Sequence, residues 1–329
     1  MQHVNRRQAL AALGALGTGS LAGLARAQAQ PDMARLVTGF AAGGTTDVIA
    51  RRLSAAMSGS YAKTVIVENR TGAATRIGIE FVKNAAPDGN TALITPTGMM
   101  FMYPHIYEKL GYDYFKDFAP VTAIATTGFG LAVGPAVPAE VTNLTQYVAW
   151  CKAHPKQAAY GSPASGSMPH LMMEAFKQRL GLDIVHTGYR GAGPAVLDLV
   201  GGQIPAVTSG LGDFLPYIAD KKLRVIATAG ARRHKNVPDT ASFQEQGIDN
   251  FVFQEDYAVF VPAKTPKDAV DRLARQIHAA LAQPGVLETL QKSGLEPNPT
   301  TPDQLGAVVK TEYERWGPIV KAIGFKAEG

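Results

Sequence analysis

Residues 38–47 read TGFAAGGTTD, and this glycine-rich stretch organises the sequence on either side of it. The preceding residues 34–37, ARLV, have the apolar character of a short buried strand. After the stretch, apolar residues between 48 and 57 recur at helical spacing, and threonines and an aspartate stand where helix N-caps are common. A glycine turn from a strand into a helix exposes backbone N–H groups and the positive end of the helix dipole, which together bind anions. A turn without a ligand has the same pattern, so the stretch alone leaves both interpretations open.

The composition is that of a globular protein with a substantial core. The chain has 329 residues, of which 46% are hydrophobic and 18% are charged, and this suffices for one large or two medium domains. The single cysteine, Cys151, excludes an intramolecular disulfide but does not decide the compartment.

The N-terminal segment predicts export. A twin arginine at 6–7 precedes a run rich in Ala, Leu and Gly, and residues 25–27, ARA, offer a small-residue cleavage site. Residues 1–27 are therefore predicted to be a signal peptide of the twin-arginine type, cleaved after Ala27 or, alternatively, after Ala29. An N-terminal anchor helix is disfavoured because glycines recur through the run.

Removal of this segment changes the charge argument. The formal net charge falls from +5 to +2, because the segment holds three arginines and no acid. No basic run with interleaved aromatics remains, which argues against a nucleic-acid partner. No later stretch is long and apolar enough to cross a bilayer, so we expect a mature chain without a membrane span. We also expect this chain to be a monomer.

The rest of the chain predicts two α/β lobes. Strand-like and helix-like segments alternate over residues 34–130, and the alternation restarts after Pro138. Such alternation favours parallel sheets covered by helices, with ligands bound beyond the carboxyl ends of the strands. The predicted segments are 28–130 and 256–329 for one lobe, 131–255 for the other, and crossover strands near 125–135 and 251–261.

Three further turns share the chemistry of the first one. Residues 161–167 (GSPASGS), 189–194 (YRGAGP) and 69–76 (NRTGAATR) each lead into a predicted helix. Small residues, hydroxyls and helix N-termini thus recur in both halves of the chain. That arrangement suits a ligand with carboxylates, held by backbone N–H groups and hydroxyls rather than by a set of charged side chains.

Seven motifs follow one another in an order known from one protein family. They are FAAGGTTDVIARRL (40–53), VIVENRTGAA (65–74), NAAPDGNTAL (84–93), DYFKDFAPVT (113–122), YGSPASGSMPHLMMEAF (160–176), VHTGYRGAGPAVLDLVGGQI (185–204), and FVPAKTP (260–266) followed by helices containing ERW (314–316). In this order and spacing, the chain resembles the tripartite tricarboxylate transporter substrate-binding proteins, the Bug-type receptors. The resemblance extends from the signal to about residue 324.

The resemblance implies a periplasmic protein of the type II binding-protein fold, with two α/β lobes, a hinge and an organic acid in the interlobe cleft. It implies that the ligand carboxylate is held mainly through Ala41–Thr45 and Ser162–Ser167. It also implies a tripartite tricarboxylate-type membrane transporter as partner, no cofactor and no chemical conversion. The candidate ligand-binding residues are Phe40, Ala41, Ala42, Gly43, Gly44, Thr45, Asp47, Arg76, Thr97, Ser162, Ala164, Ser165, Gly166, Ser167, His170, Tyr189, Ser209 and Asp256.

Three places depart from the family pattern. Ser209 stands where relatives that take amino acids tend to have an aspartate, so an amino-acid ligand is less expected. Residues 255–257, EDY, stand where many relatives carry a tryptophan. Arg76 replaces a small polar residue, and we interpret it either as a partner for a second ligand carboxylate or as a solvated surface arginine.

Other candidates also keep two interpretations. Asp47 is interpreted chiefly as an acceptor for backbone N–H groups at the helix start, rather than as a catalytic or metal-binding group. His170 either contacts the anion or fixes the turn before it. Residues 97–102 (TGMMFM) form either core packing or an adaptable methionine-rich wall. Tyr189 and Arg190 either close over the ligand, or Arg190 pairs with an acid across the lobes.

The motifs of common enzymes are missing from the sequence. It contains no G-x-S-x-G elbow, no G-x-G-x-x-G fingerprint and no pair of histidines at zinc-ligand spacing. Together with this absence, the family resemblance implies a receptor for a di- or monocarboxylate, aliphatic or aromatic. A ligand sensor for a signalling partner and an exported enzyme are the alternatives.

Overall fold

The computed structural model describes residues 30–327, and the predicted signal peptide with its cleavage sites lies outside this range. Within it, ten strands form one mixed sheet. The strands are β1 (Met33–Thr38), β2 (Thr64–Asn69), β3 (Thr91–Pro96), β4 (Phe118–Val133), β5 (Ala159–Ser162), β6 (Val185–Gly188), β7 (Ala206–Gly210), β8 (Arg224–Thr228), β9 (Gln254–Pro262) and β10 (Glu296–Pro297). They lie in the order β2-β1-β3-β9-β4-β7-β5-β6, and β8 and β10 also pair with β4.

Twelve α-helices connect and cover the strands within the described range. They are α1 (Thr45–Met57), α2 (Arg76–Lys83), α3 (Gly98–Phe101), α4 (Tyr103–Ile106), α5 (Tyr114–Asp117), α6 (Leu144–Ala153), α7 (Met168–Leu180), α8 (Ala192–Val200), α9 (Leu211–Ile218), α10 (Lys267–Leu281), α11 (Pro284–Lys292) and α12 (Pro302–Ile323). A membrane-spanning helix would need a longer apolar run than any of these provides.

The first strand, turn and helix form where the sequence predicts them. Strand β1 pairs in parallel with β2 on one side and with β3 on the other. The turn passes through Gly43 at a φ of +90°, a conformation that glycine adopts without steric cost. Helix α1 then buries Ile49, Leu53 and Met57, which lie one turn apart on a single face.

The two lobes are linked by β4 and β9. Strand β4 pairs with β9 as far as Gly128, and from Phe129 onward it pairs with β7 and β8. Strand β9 begins at Gln254, opposite Gly128. We therefore call residues 30–128 and 254–327 lobe 1, and residues 129–253 lobe 2.

Strand direction differs in part from the predicted parallel sheets. The pairs β1–β2 and β1–β3 in lobe 1, and β5–β6 and β5–β7 in lobe 2, are parallel. The chain enters lobe 2 along β4 and returns along β9, so these two strands run in opposite directions and pair antiparallel. The pairs β3–β9 and β4–β7 are antiparallel as well.

One helix of lobe 2 was not predicted. Helix α9 contains Pro216 and follows β7 without an intervening loop, so its sequence lacks the usual signs of a helix start. The C-terminal region forms three described helices, α10 to α12, where the sequence predicted at least two.

Candidate ligand-binding cleft

A cavity of about 40 Å³ lies between the lobes, where four of the described helices begin. Thr45 opens α1, Ser167 is the N-cap of α7, Ala192 opens α8, and Asp213 lies in the first turn of α9. The residues that line the cavity are Phe40, Gly44, Thr45, Thr46, Pro96, Met99, Phe129, Pro163, Ser167, Pro169, Ala192, Ser209, Gly210, Asp213, Glu255 and Tyr257.

In the described lining, the groups that can attract an anion belong to the backbone. The first N–H groups of a helix have no intrahelical acceptor, and the helix dipole adds positive potential at the same end. Among the described lining residues, none is a lysine, an arginine or a histidine. Phe40, Met99, Phe129 and Tyr257 supply apolar walls. The chemistry of this lining suits a small anion with an apolar body.

Asp47 braces the turn of lobe 1 rather than lining the cavity. Its Oδ2 accepts hydrogen bonds from the Gly43 N–H at 3.1 Å and from Arg51 Nε at 2.8 Å, and its Oδ1 accepts one from Asn69 Nδ2 at 2.9 Å. Burial alone would raise the pKa of Asp47, but the hydrogen bonds from Arg51, Asn69 and Gly43 outweigh it and hold the pKa below its usual range. The carboxylate therefore stays ionised and holds the 40–47 turn in shape.

Two histidines and two serines fix the turn of lobe 2. The Ser162 and Ser167 hydroxyls both donate to the carbonyl oxygen of Ala164, at 3.1 and 2.7 Å. His170 is 2% exposed, and its Nδ1 accepts the N–H of Gly166 at 2.9 Å. The ring of His186 stacks on His170 with the centroids 3.7 Å apart. Burial lowers the pKa of His186 to about 3, so this ring is neutral.

The lobes touch each other across the cavity. The Ala41 N–H donates to the carbonyl oxygen of Arg190 at 3.0 Å. The Thr45 N–H donates to Asp213 Oδ1 at 3.2 Å, and the Thr45 hydroxyl donates to the same oxygen. The cleft is therefore closed in this structure. The turn at 38–47 of lobe 1 and the turn at 161–167 of lobe 2 border the same cavity.

The cavity is also lined by two carboxyl groups that were not among the candidate residues predicted from the sequence. Asp213 accepts hydrogen bonds from Thr45 and, at 2.6 Å, from the Ser209 hydroxyl, and burial raises its pKa. Glu255 is 6% exposed and accepts the Gly98 N–H at 2.5 Å. Burial, aided by the neighbouring Asp256, raises the pKa of Glu255 to about 8.

The predicted site residues divide into several groups. Phe40, Gly44, Thr45, Ser167 and Ser209 line the cavity. Ala41 forms a hydrogen bond with Arg190 at the contact between the lobes, and Ala42 and Gly43 belong to the same turn. A second interlobe space of about 170 Å³ is lined by Phe40, Ala164, Ser165 and Tyr189. Asp47, Ser162, Gly166 and His170 brace the two turns.

Three predicted residues lie away from the cavity. The guanidinium of Arg76 stacks over the Tyr107 ring at 4.2 Å and donates to the carbonyl oxygen of Ala73, so it does not enter the cavity. Thr97 and Asp256 line a different space, beside Glu255. Asp256 points there because its Oδ1 accepts hydrogen bonds from two side chains, Thr126 at 2.5 Å and Asn298 at 3.3 Å.

The sequence of the chain is similar to that of known proteins. Residues 49–325 match the family described as the tripartite tricarboxylate transporter family receptor. Protein BugT of Bordetella pertussis is 31% identical over 293 residues, which cover 89% of this chain and 89% of BugT.

Two solved structures share the fold. Rpa4515 of R. palustris, solved with adipate, superposes with a TM-score of 0.84 at 28% identity, covering 89% of this chain and 98% of that one. MatC of Rhodopseudomonas palustris, solved with bound malate, superposes with a TM-score of 0.81 at 27% identity, covering 88% and 98%. These matches confirm the predicted two-lobed binding-protein fold. The chain therefore belongs to the tripartite tricarboxylate transporter receptor family, whose Bug-type members bind solutes and are not enzymes.

Proposed function

We propose that this chain is an exported receptor that captures a small organic carboxylate in the interlobe cavity. The observation that carries the proposal is that four helix N-termini converge on one cavity. One of these helices belongs to lobe 1 and three belong to lobe 2. Adipate and malate in two relatives are both small carboxylates, which supports the same ligand class here. Binding stabilises the closed form because the ligand contacts both lobes only when the cleft is shut.

The location and the partner belong to the same proposal. Residues 1–27 direct export to the periplasm, with cleavage after Ala27 or Ala29, and the mature chain acts as a monomer. The loaded, closed receptor then delivers its ligand to a membrane transporter of the tripartite tricarboxylate type. Uptake of the ligand by cells should require both the receptor and the membrane subunits. Uptake that persists without the membrane subunits would instead favour a sensor role.

A thermal-shift screen of mono-, di- and tricarboxylates, aliphatic and aromatic, tests the ligand class. A ligand that binds only the folded protein stabilises it by about 2.7 kcal/mol at a hundred times its Kd. We expect at least one of these acids to raise the Tm and to be recovered chemically unchanged. Chemical conversion of the acid would overturn the receptor assignment, and so would a screen in which no carboxylate raises the Tm.

Substitution of Gly44 by leucine should abolish that stabilisation. A Cβ at Gly44 would lie 3.7 Å from the Ala192 N and 3.8 Å from the Gly193 N, so a longer side chain fills the gap between the openings of α1 and α8. The matched control is Gly285→Leu, because a Cβ at Gly285 meets nothing within 4 Å. We expect Gly285→Leu to keep the ligand-induced rise in Tm. An undiminished rise in the Gly44→Leu variant would contradict the placement of the site.

A further inference from the structure

The anion-binding end of α1 already carries a carboxylate in this structure. Asp213 of lobe 2 reaches across the cleft, and its Oδ1 accepts the Thr45 N–H at 3.2 Å and the Thr45 hydroxyl. Its Oδ2 accepts the Ser209 hydroxyl at 2.6 Å. All three groups donate to the carboxyl oxygens, which is the arrangement that suits an ionised carboxylate.

Asp213 does not act as an ordinary cap of its own helix. It lies in the first turn of α9, yet the described hydrogen bonds of its side chain go to Thr45 of the other lobe and to Ser209 before the helix. Its oxygens thus satisfy the same donors at the start of α1 that would otherwise bind a carboxylate of the ligand.

Charge at this end of the cavity opposes a second anionic group. Asp213 lines the cavity, and the described lining contains no cationic side chain that would offset its charge. A ligand carboxylate beside Asp213 would place two like charges in a space with little water, where their repulsion is strong. The openings of α7 and α8, at Ser167 and Ala192, stay available for one carboxylate.

We propose that Asp213 replaces a second ligand carboxylate and thereby restricts this receptor to acids with a single carboxylate. This inference rests on the proposed function and narrows its ligand class. The ligand carboxylate binds at the openings of α7 and α8, and its uncharged or hydrogen-bond-donating end lies toward Asp213. The two relatives solved with adipate and malate hold diacids, so the restriction would be a property of this chain rather than of every member.

Acids of equal length test the inference. Calorimetric titration of the wild-type protein with succinate, butyrate and 4-hydroxybutyrate, and with adipate, hexanoate and 6-hydroxyhexanoate, compares one carboxylate with two. We expect the tightest monoacid of a series to bind at least tenfold more tightly than the diacid of that series. Removing the charge with Asp213→Asn should tighten diacid binding at least tenfold and narrow that preference. The matched control Asp220→Asn, at an exposed aspartate of lobe 2 that pairs with Lys222, should leave the preference unchanged.

The possible results separate the inference from the function on which it rests. Wild-type protein that binds a diacid as tightly as the matched monoacids overturns the inference and leaves the carboxylate receptor standing. An unchanged preference in folded Asp213→Asn does the same, and if that variant does not fold, the wild-type comparison alone decides. Absence of binding by every acid of both series, together with a negative thermal-shift screen, overturns the proposed function and the inference with it.

Discussion

Replacing Trp316 by alanine should lower the free energy of unfolding by about 3–5 kcal/mol, the usual cost of truncating a large buried aromatic side chain. Trp316 lies in α12 and is 0% exposed. Its ring packs against Phe101, with the centroids 6.3 Å apart, and against Phe253 at 5.9 Å, and its Nε1–H donates to Glu312 at 3.1 Å. Phe101 belongs to the helix that carries Met99 into the cavity, whereas Phe253 ends lobe 2. The C-terminal helix α12 therefore packs against both the helix α3 of lobe 1 and the end of lobe 2.

Urea unfolding followed by circular dichroism measures this loss. The matched control is Phe115→Ala, because Phe115 is 51% exposed and its described ring contacts are edge contacts with Tyr114 and Tyr313. We expect that control to cost about 1 kcal/mol or less. Equal losses in the two variants would contradict the central packing role of Trp316.

Ionisation of Glu255 should lower the stability of the protein as the pH rises from 5 to 8. His186 acts in the opposite direction up to about pH 6.5, because it stays neutral in the folded state while the unfolded state loses its proton, so the Glu255 effect has to be measured against a variant. Burial raises the pKa of Glu255 from its ordinary 4.5 to about 8, and the carboxylates of Asp256 and Glu312 add to the effect against one hydrogen bond from Gly98. The folded state therefore holds a proton that the unfolded state releases above pH 4.5, so stability is lost as the pH rises toward 8. For a shift of this size the loss is on the order of 3 kcal/mol between pH 5 and pH 8.

The variant Glu255→Gln tests the assignment because it cannot release this proton. The stability of the variant relative to the wild type should increase between pH 5 and pH 8, and the variant should be the more stable of the two at pH 8. Glu314→Gln, at an exposed glutamate of α12, is the control and should follow the wild type. The same pH dependence in Glu255→Gln and wild type would show that another group is responsible.

Local patterns predicted the elements that their own residues determine. Helix α6 spans Leu144–Ala153 as expected, because Asn143 caps it by accepting the Gln146 N–H at 3.0 Å. The turn between β1 and α1 also lies where its glycines and threonines indicate. Such features depend on a few neighbouring residues, which a single sequence contains.

The cavity could be predicted only in part, because its lining is decided by contacts between distant segments. Ser167 and Thr45 were found as residues of helix openings, since glycine and serine turns mark these ends. Asp213 was missed because helix α9, which contains Pro216, was not predicted from the sequence. Its position shortly after the end of a strand was nevertheless a sign of a binding residue. Arg76 was selected for its charge, but no local pattern shows that its guanidinium stacks on Tyr107 instead.

The central claim is that the two lobes enclose one ligand whose carboxylate is bound by helix openings, and a crystal structure of the complex tests it most directly. The acid that gives the largest rise in Tm in the screen is the ligand to use. We predict a ligand carboxylate within about 3.2 Å of backbone N–H groups at the start of α7 or α8, with Phe40 and Tyr257 against the rest of the molecule. A ligand held by arginine or lysine side chains, or bound outside the space between the lobes, would contradict the account.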